Sequence, residues 1–277
     1  MGKSKGFTLV KLLVVIAIIA LLMGILMPAL NLARRQARSA ACKANLHQWS
    51  LIWSLYCHDN DGKFCHSTSP SYTTSWERGT WILPLRAQWE TRSNLLRCPM
   101  ATQRLPGGGN YGGPFNTYRM GSGGAGDIEE ECSYGANCWF YDPLPGETEI
   151  QNRPTAWNFN TPYVKNSNTI PLMGDAMWRG GGPVSGDPKE GLVGRGEPPA
   201  YDGEWSGAGS EMKHFCINRH NERINMLFMD WSTREVALKE LWTLKWHRSF
   251  NTSGPWTRAG GAVPTDWPLW MRNFTDY

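Results

Sequence analysis

The sequence predicts an α+β protein: a long N-terminal helix, apolar in its first half and amphipathic in its second, packed on a loop-rich antiparallel β-sheet head. Three observations predict this class. Residues 7–26, FTLVKLLVVIAIIALLMGIL, are almost unbroken hydrocarbon, and ~20 apolar residues are what a helix needs to cross a bilayer. Past Pro28 the apolar residues recur at helical spacing. The chain also carries 30 glycines, 18 prolines and 15 tryptophans, with only 19% of residues charged. Such a composition suits frequent turns between aromatic-rich strands.

Taken in order, residues 1–6 form a short basic leader with Lys3 and Lys5. Residues 7–27 are the transmembrane half of the helix and residues 28–56 its amphipathic half. Pro28 follows Gly24 at the end of the apolar run, where a missing backbone donor bends or loosens a helix. Leu30, Ala33, Ala37, Ala40, Ala41, Ala44 and Leu51 mark one stripe, with Arg34, Arg35, Arg38 and Lys43 between them. The small alanines suit close packing against the head or against another subunit. Residues 57–277 form the head, long enough for one good core.

The start of the chain resembles the type IV pilin-like proteins, which include pilins and the pseudopilins of type II secretion. Lys5-Gly6-Phe7-Thr8-Leu9-Val10, followed by Leu12 to Ile16, carries the resemblance. It implies that a prepilin peptidase cuts between Gly6 and Phe7, that Phe7 is then methylated, and that the whole hydrophobic helix is kept. A secretory signal peptide would lose its apolar region instead. At the fifth mature position the family usually has Glu; this chain has Lys11. Lys11 places a cation where a carboxylate would meet a neighbour's amine, which implies a minor or co-assembling subunit. By raw count Arg34, Arg35 and Arg38 outweigh Lys3 and Lys5. The resemblance nonetheless puts the leader in the cytoplasm and the head in the periplasm or on an extracellular filament.

A net charge of +4 spread over 277 residues makes no nucleic-acid footprint. Seven cysteines fit a head in an oxidising space. Cys132 and Cys138, in CSYGANC, are the best local disulfide pair, and Cys57 or Cys65 with Cys98 would tie the helix end to the next loop. With no C-x-x-C pair and scattered histidines, no zinc site is expected. Asp59 and Asp61 are weak calcium candidates, because the bidentate Glu of a calcium loop is missing. The better reading is a helix-stopping turn. Leu105 to Gly126 is glycine-dense but has no Gly-Lys-Ser/Thr, so a phosphate loop is not supported.

Thr169 to Asp175 reads as a buried strand ending at a carboxylate. His220 to Asp230 resembles the His, nine residues, Asp-Gly signature of pilin-like proteins abundant in planctomycetes, with Trp231 in place of the glycine. Asn225 to Asp230 and Arg234 to Leu238 form a hairpin, with Asn225, Leu227 and Met229 on one face and Met226 and Phe228 on the other. Trp231 should exclude a positive φ, so another turn type is expected. His220 and Asp230 should hydrogen-bond across this hairpin. A hydrolase built from Cys216, His220 and Asp230 is the remote alternative. The tail, with Trp242, Trp246, Trp256, Trp267 and Trp270, is expected to pack into a core, and a glycan-stacking platform is the competing reading.

The resemblance therefore implies a structural subunit of a type IV pilus-like or type II secretion pseudopilus-like filament, not an enzyme, without cofactor. Its partners would be the inner membrane, prepilin peptidase and other pilin-like subunits. A membrane- or filament-displayed protein binding polysaccharide through its tryptophans is the alternative.

Overall fold

The structure, a computed structural model, describes residues 9–66, 81–106, 109–120, 130–150, 153–184, 196–205 and 210–277. Gly6 and Phe7 lie outside the described residues.

Helix α1 (Leu9–Asp59) runs unbroken for 51 residues, Pro28 included, or about 77 Å at ~1.5 Å per residue. From Leu9 to Arg38 it is exposed, and its apolar half is long and apolar enough to cross a membrane. Below that, Ser39, Cys42, Leu46, Trp49, Trp53 and Cys57 are buried at intervals of three and four, the spacing of one helical face. The Trp49 indole donates to Leu95 O at 3.0 Å, and Asn45 Nδ2 donates to Arg97 O at 3.0 Å. The alanine stripe lies on the opposite side: Ala37, Ala40, Ala41, Ala44 and Leu51 are all exposed.

The helix outruns the expected boundary at residue 56 by three residues and stops for a local reason. Asp61 and Gly62 turn left-handed, at φ 54° and 74°, and Gly62 N–H donates to Cys57 O at 2.8 Å. Asn60 Nδ2 adds a bond to Tyr56 O at 2.7 Å. Asp59 and Asp61 therefore serve a helix-ending turn. Among the described residues they belong to no cluster of three or more metal-ligating groups.

A four-residue helix, α2 (Arg86–Trp89), and a 3₁₀ turn (Ser93–Leu96) precede the strands. The first three strands, β1 (Gln103–Arg104), β2 (Asn116–Arg119) and β3 (Glu131–Cys132), form a small sheet. The main sheet holds β4 (Tyr134–Asn137), β5 (Pro171–Asp175), β6 (Gly180–Gly181), β7 (Arg223–Phe228) and β8 (Thr233–Ala237), in the order β6-β4-β5-β7-β8. Most pairings are antiparallel, but β1–β2 and β4–β6 are parallel. The head is thus mixed rather than purely antiparallel, its parallel pairs confined to two-residue edge strands.

The alternation along β7 divides the head into two cores. Leu227 and Met229 join Trp49, Trp53, Leu172 and Met173 beneath α1. Ile224, Met226 and Phe228 face Phe215, Trp242, Trp246 and Trp267. The tail covers this second face with loops and 3₁₀ turns, so its tryptophans supply the apolar area that a covering helix would otherwise bring. Trp242, Trp246 and Trp267 are buried, while Trp256 and Trp270 are half-buried against the same core. Buried Lys239 fastens the chain end through Phe274 O at 3.0 Å and Asp276 Oδ1 at 2.6 Å.

Two expectations are corrected here. Trp231 does adopt a positive φ, 69°. Its N–H donates to Phe228 O at 3.0 Å and Phe228 N–H to Ser232 O at 2.9 Å, the pattern of a turn followed by a left-handed residue. That conformation costs an L-residue roughly 1–2 kcal/mol, and the ring offsets it by packing on the first core. Cys132 and Cys138 form no disulfide with each other. Between them β4 is extended over four residues, which spans about 10 Å, beyond the ~7 Å Cα separation a disulfide bridges. Gly135 sits in that strand not to turn but because a Cβ there would meet Trp178 O at 2.4 Å and Ala176 Cβ at 2.7 Å.

Candidate functional site

A buried polar knot lies where α1 meets the main sheet. Cys42 comes from the head-facing stripe of α1. Cys98 follows the Ser93–Leu96 turn, and its backbone N–H is held by Ser133 Oγ at 2.7 Å. Asp175 ends β5, where the β5–β7 register sets Gly174 opposite Met226 and so brings the carboxylate to the Asn225 N–H, at 2.8 Å from Oδ2. His220 stands at the mouth of a tight turn, its N–H bonded to Arg223 O at 2.9 Å.

That turn sets the imidazole. Its two central residues, Asn221 and Glu222, have φ of 56° and 65°, the geometry for which Asn-Gly is the favoured pair. Glu222 is exposed. Glu222→Gly should therefore stabilise the head by up to ~1 kcal/mol, the relieved backbone cost less the entropy a glycine adds to the unfolded chain. Urea unfolding should show a raised midpoint; a lowered one would refute this account of the turn.

Within the knot the distances are short. His220 Nε2 is 3.1 Å from Asp175 Oδ2 and 3.3 Å from Cys98 Sγ. Cys42 Sγ lies 3.4 and 3.5 Å from the two oxygens of Asp175, and the Tyr134 hydroxyl donates to it at 3.3 Å. Arg219, fully buried, uses its guanidinium in five hydrogen bonds: Nε to Pro114 O, Nη1 to Ser133 O and Asp175 Oδ1, Nη2 to Gly113 O and Ala176 O.

The electrostatics follow from these contacts. Burial would raise the Asp175 carboxyl, but His220 and Arg219 hold it well below the usual carboxylate range. Burial would lower His220, yet Asp175 and then Cys98 push it up to about 9. Burial drives the Cys42 thiol well up, with Cys98 and Asp175 adding to the effect. Cys98 is lowered, because donation from Cys42 and the approach of His220 and Arg219 outweigh its burial.

The expected His220–Asp230 bond does not form, and the carboxylate facing His220 is Asp175. Asp230 is exposed in the hairpin turn and accepts from Ser232 N–H and Oγ at 3.0 and 2.6 Å. Cys216 is buried in the second core beside Met271, 3.9 Å away. Cys216, His220 and Asp230 are thus not brought together. Cys98 has Cys42, not Cys57 or Cys65, as its sulfur neighbour. Nor does the knot make a nucleophile triad, which needs the base between two groups on different ring nitrogens; here Cys98 and Asp175 share Nε2. Asn225 supports the knot through its N–H, and its side chain reaches Ser39 on α1 at 3.4 Å. Lys11 lies exposed early in α1, and Pro28 sits within it.

Sixty-one residues of the chain, 22% of its length, are 43% identical to the type IV wide pilus major component PilA4 of Thermus thermophilus. The match covers 47% of that relative, so the chain spans about half the length of the curated protein it matches. Together with the exposed N-terminal apolar helix, this similarity supports a pilin-like protein. No family model and no solved structure matches the chain.

Proposed function

We propose that this chain is a structural, non-enzymatic subunit of a type IV pilus-like or type II secretion pseudopilus-like filament. Prepilin peptidase would cut it after Gly6. Residues 7–27 would hold it in the inner membrane with the head in the periplasm, and on assembly they would enter the filament core. The observation that carries the reading is the exposed stretch Leu9 to Arg38, apolar through most of its length, on a chain similar to a pilus component. Packing that surface against like helices would release its apolar area from water or lipid contact, and burial from water is worth ~25 cal/mol per Å².

The exposed stripe Ala37, Ala41, Ala44, Gln48, Leu51, Leu55 alternates steps of four and three residues, a seam suited to a second helix. Pro28 also lacks the N–H that would bond Gly24 O, and a Cβ on Gly24 would meet nothing within 4 Å. Those two residues weaken one turn of helix and leave it able to loosen during assembly. Lys11 in place of Glu fits a minor subunit that pairs with a carboxylate on a different pilin-like protein. The glycan reading gains nothing from the tail, whose tryptophans pack into the second core.

Sedimentation of cell-surface fractions tests the proposal. The wild-type chain, expressed with its assembly machinery, should pellet with filaments. Ala37→Glu with Ala44→Glu should abolish pelleting and leave the head's stability within ~0.5 kcal/mol, since both sites are exposed. Lys11→Glu should change which pilin-like subunit it co-sediments with. A wild-type chain that never pellets, or a double variant that pellets normally, would sink the reading.

A further inference from the structure

We propose that Cys42, Cys98, Asp175 and His220 form a structural zinc site that clamps the N-terminal helix to the head. Their ligand atoms all lie within 4.8 Å of one another. A tetrahedron with zinc–ligand distances of ~2.0–2.3 Å has edges of about 3.3–3.8 Å. Several edges already fall in or near that range: 3.1 Å from His220 to Asp175, 3.3 Å from His220 to Cys98, and 3.4 Å from Cys42 to Asp175. One ring nitrogen faces both a thiol and a carboxylate, an arrangement natural around a common metal and awkward for pairwise proton exchange.

The donor set selects the ion. Two cysteines, one histidine and one carboxylate suit zinc, whereas calcium and magnesium require oxygen ligands. Charge also balances. Two thiolates and a carboxylate carry −3, zinc brings +2, and buried Arg219 on Asp175 Oδ1 brings +1. The surrounding contacts are those of a supported site: Arg219 and Asn225 N–H orient the carboxylate, and the Tyr134 hydroxyl donates to Cys42 Sγ. Four protein ligands in a closed pocket make a structural centre, with no position for substrate.

The four ligands come from α1, the turn after Ser93–Leu96, the end of β5 and the turn before β7. A metal there would join the four segments on which the head depends, and its binding free energy would become folding free energy. It would fasten the helix just below its exposed stretch, where a filament would load the head.

The test uses the full chain in detergent micelles, purified in reducing, metal-controlled buffer. Elemental analysis should find about one zinc per chain, and cobalt exchanged for zinc should show thiolate-to-cobalt charge-transfer absorption. Cys42→Ser with Cys98→Ser should abolish that absorption, and stripping the metal with a chelator should lower the wild-type melting temperature. Wild-type protein with neither zinc nor cobalt uptake would overturn the proposal whatever the variant does. So would native protein, isolated without reductant, carrying a Cys42–Cys98 disulfide and no metal.

Discussion

Replacing Arg219 with Met is expected to remove roughly 4 kcal/mol or more from the stability of the head. The guanidinium has no exposed surface, and it faces a carboxylate with none. Breaking a buried pair by deleting one partner costs ~3–5 kcal/mol when the other charge is left alone; Asp175 keeps His220 at 3.1 Å and the Asn225 N–H at 2.8 Å, which holds this part of the loss to the low end. Of the four backbone carbonyls the guanidinium serves, those of Ser133 and Gly113 keep a backbone donor, from Ala176 N–H at 3.0 Å and Asn116 N–H at 3.4 Å, while those of Pro114 and Ala176 would lose the donor Arg219 brings. A buried acceptor left unpaired costs ~1–3 kcal/mol, though local relaxation keeps such losses from adding in full. Against the ~5–15 kcal/mol of an ordinary domain this is a large share of the total, and a head at the low end of that range would be left only marginally folded. Arg219→Lys should fall between, since an ammonium keeps the charge but offers three donors in place of five. Urea unfolding followed by tryptophan fluorescence reads both. A Met variant within ~0.5 kcal/mol of wild type would show that Arg219 is not what joins these loops.

This knot marks the boundary of what is legible from the residue order. The helix was readable because its signal is local: an apolar run, then apolar residues at helical spacing. Which face it buries was not, since the stripe read from the sequence, Ala37 to Leu51, is exposed and the head takes Cys42, Leu46, Trp49 and Trp53 instead. In β7 the signal is local too: the period of two assigns Leu227 to one core and Met226 to the other. The knot has no local signal. Its members stand at positions 42, 98, 175 and 220, and the strand register brings them together. Sequence proximity favoured Asp230 as the partner of His220, yet Asp230 sits at the far end of β7, where the hairpin turn needs its carboxylate. Strand β5, next to β7, delivers Asp175 instead. The CSYGANC spacing misled in a similar way: the glycine between the two cysteines, Gly135, lies in strand β4 and permits close approach of the chain at Trp178, between β5 and β6. The one available hint was a strand ending at an acidic residue, Thr169 to Asp175, beside an arginine and a histidine adjacent in sequence at 219 and 220.

Acid should destabilise the head through His247, by about 3 kcal/mol between pH 7 and pH 4. This imidazole is buried, stacked 7° from parallel on Trp157 at 4.9 Å and 4.5 Å from Trp139. Nε2 donates to Val184 O at 2.7 Å, and Nδ1 accepts from the Ser249 N–H at 3.1 Å. The neutral ring with its proton on Nε2 satisfies both bonds. A second proton would have to sit on Nδ1, against a donor that already points there. Burial and the nearby Lys245 lower His247, and the bond to Val184 O only partly opposes them, leaving it at about 4. The unfolded chain, with an ordinary value near ~6.5, therefore binds more protons between the two pKa values. Stability rises with pH across that window and is lost as pH falls through it. The full effect is present above about 6.5, and most of it is gone by about 4. His247→Gln keeps a donor for Val184 O and does not titrate. The difference between wild type and this variant isolates the site from every other titrating group. Unfolding free energies at several pH values should show the wild type losing about 3 kcal/mol more than the variant over this range. Parallel pH curves would mean that His247 is charged in the fold, or that Ser249 turns away to make room for the proton.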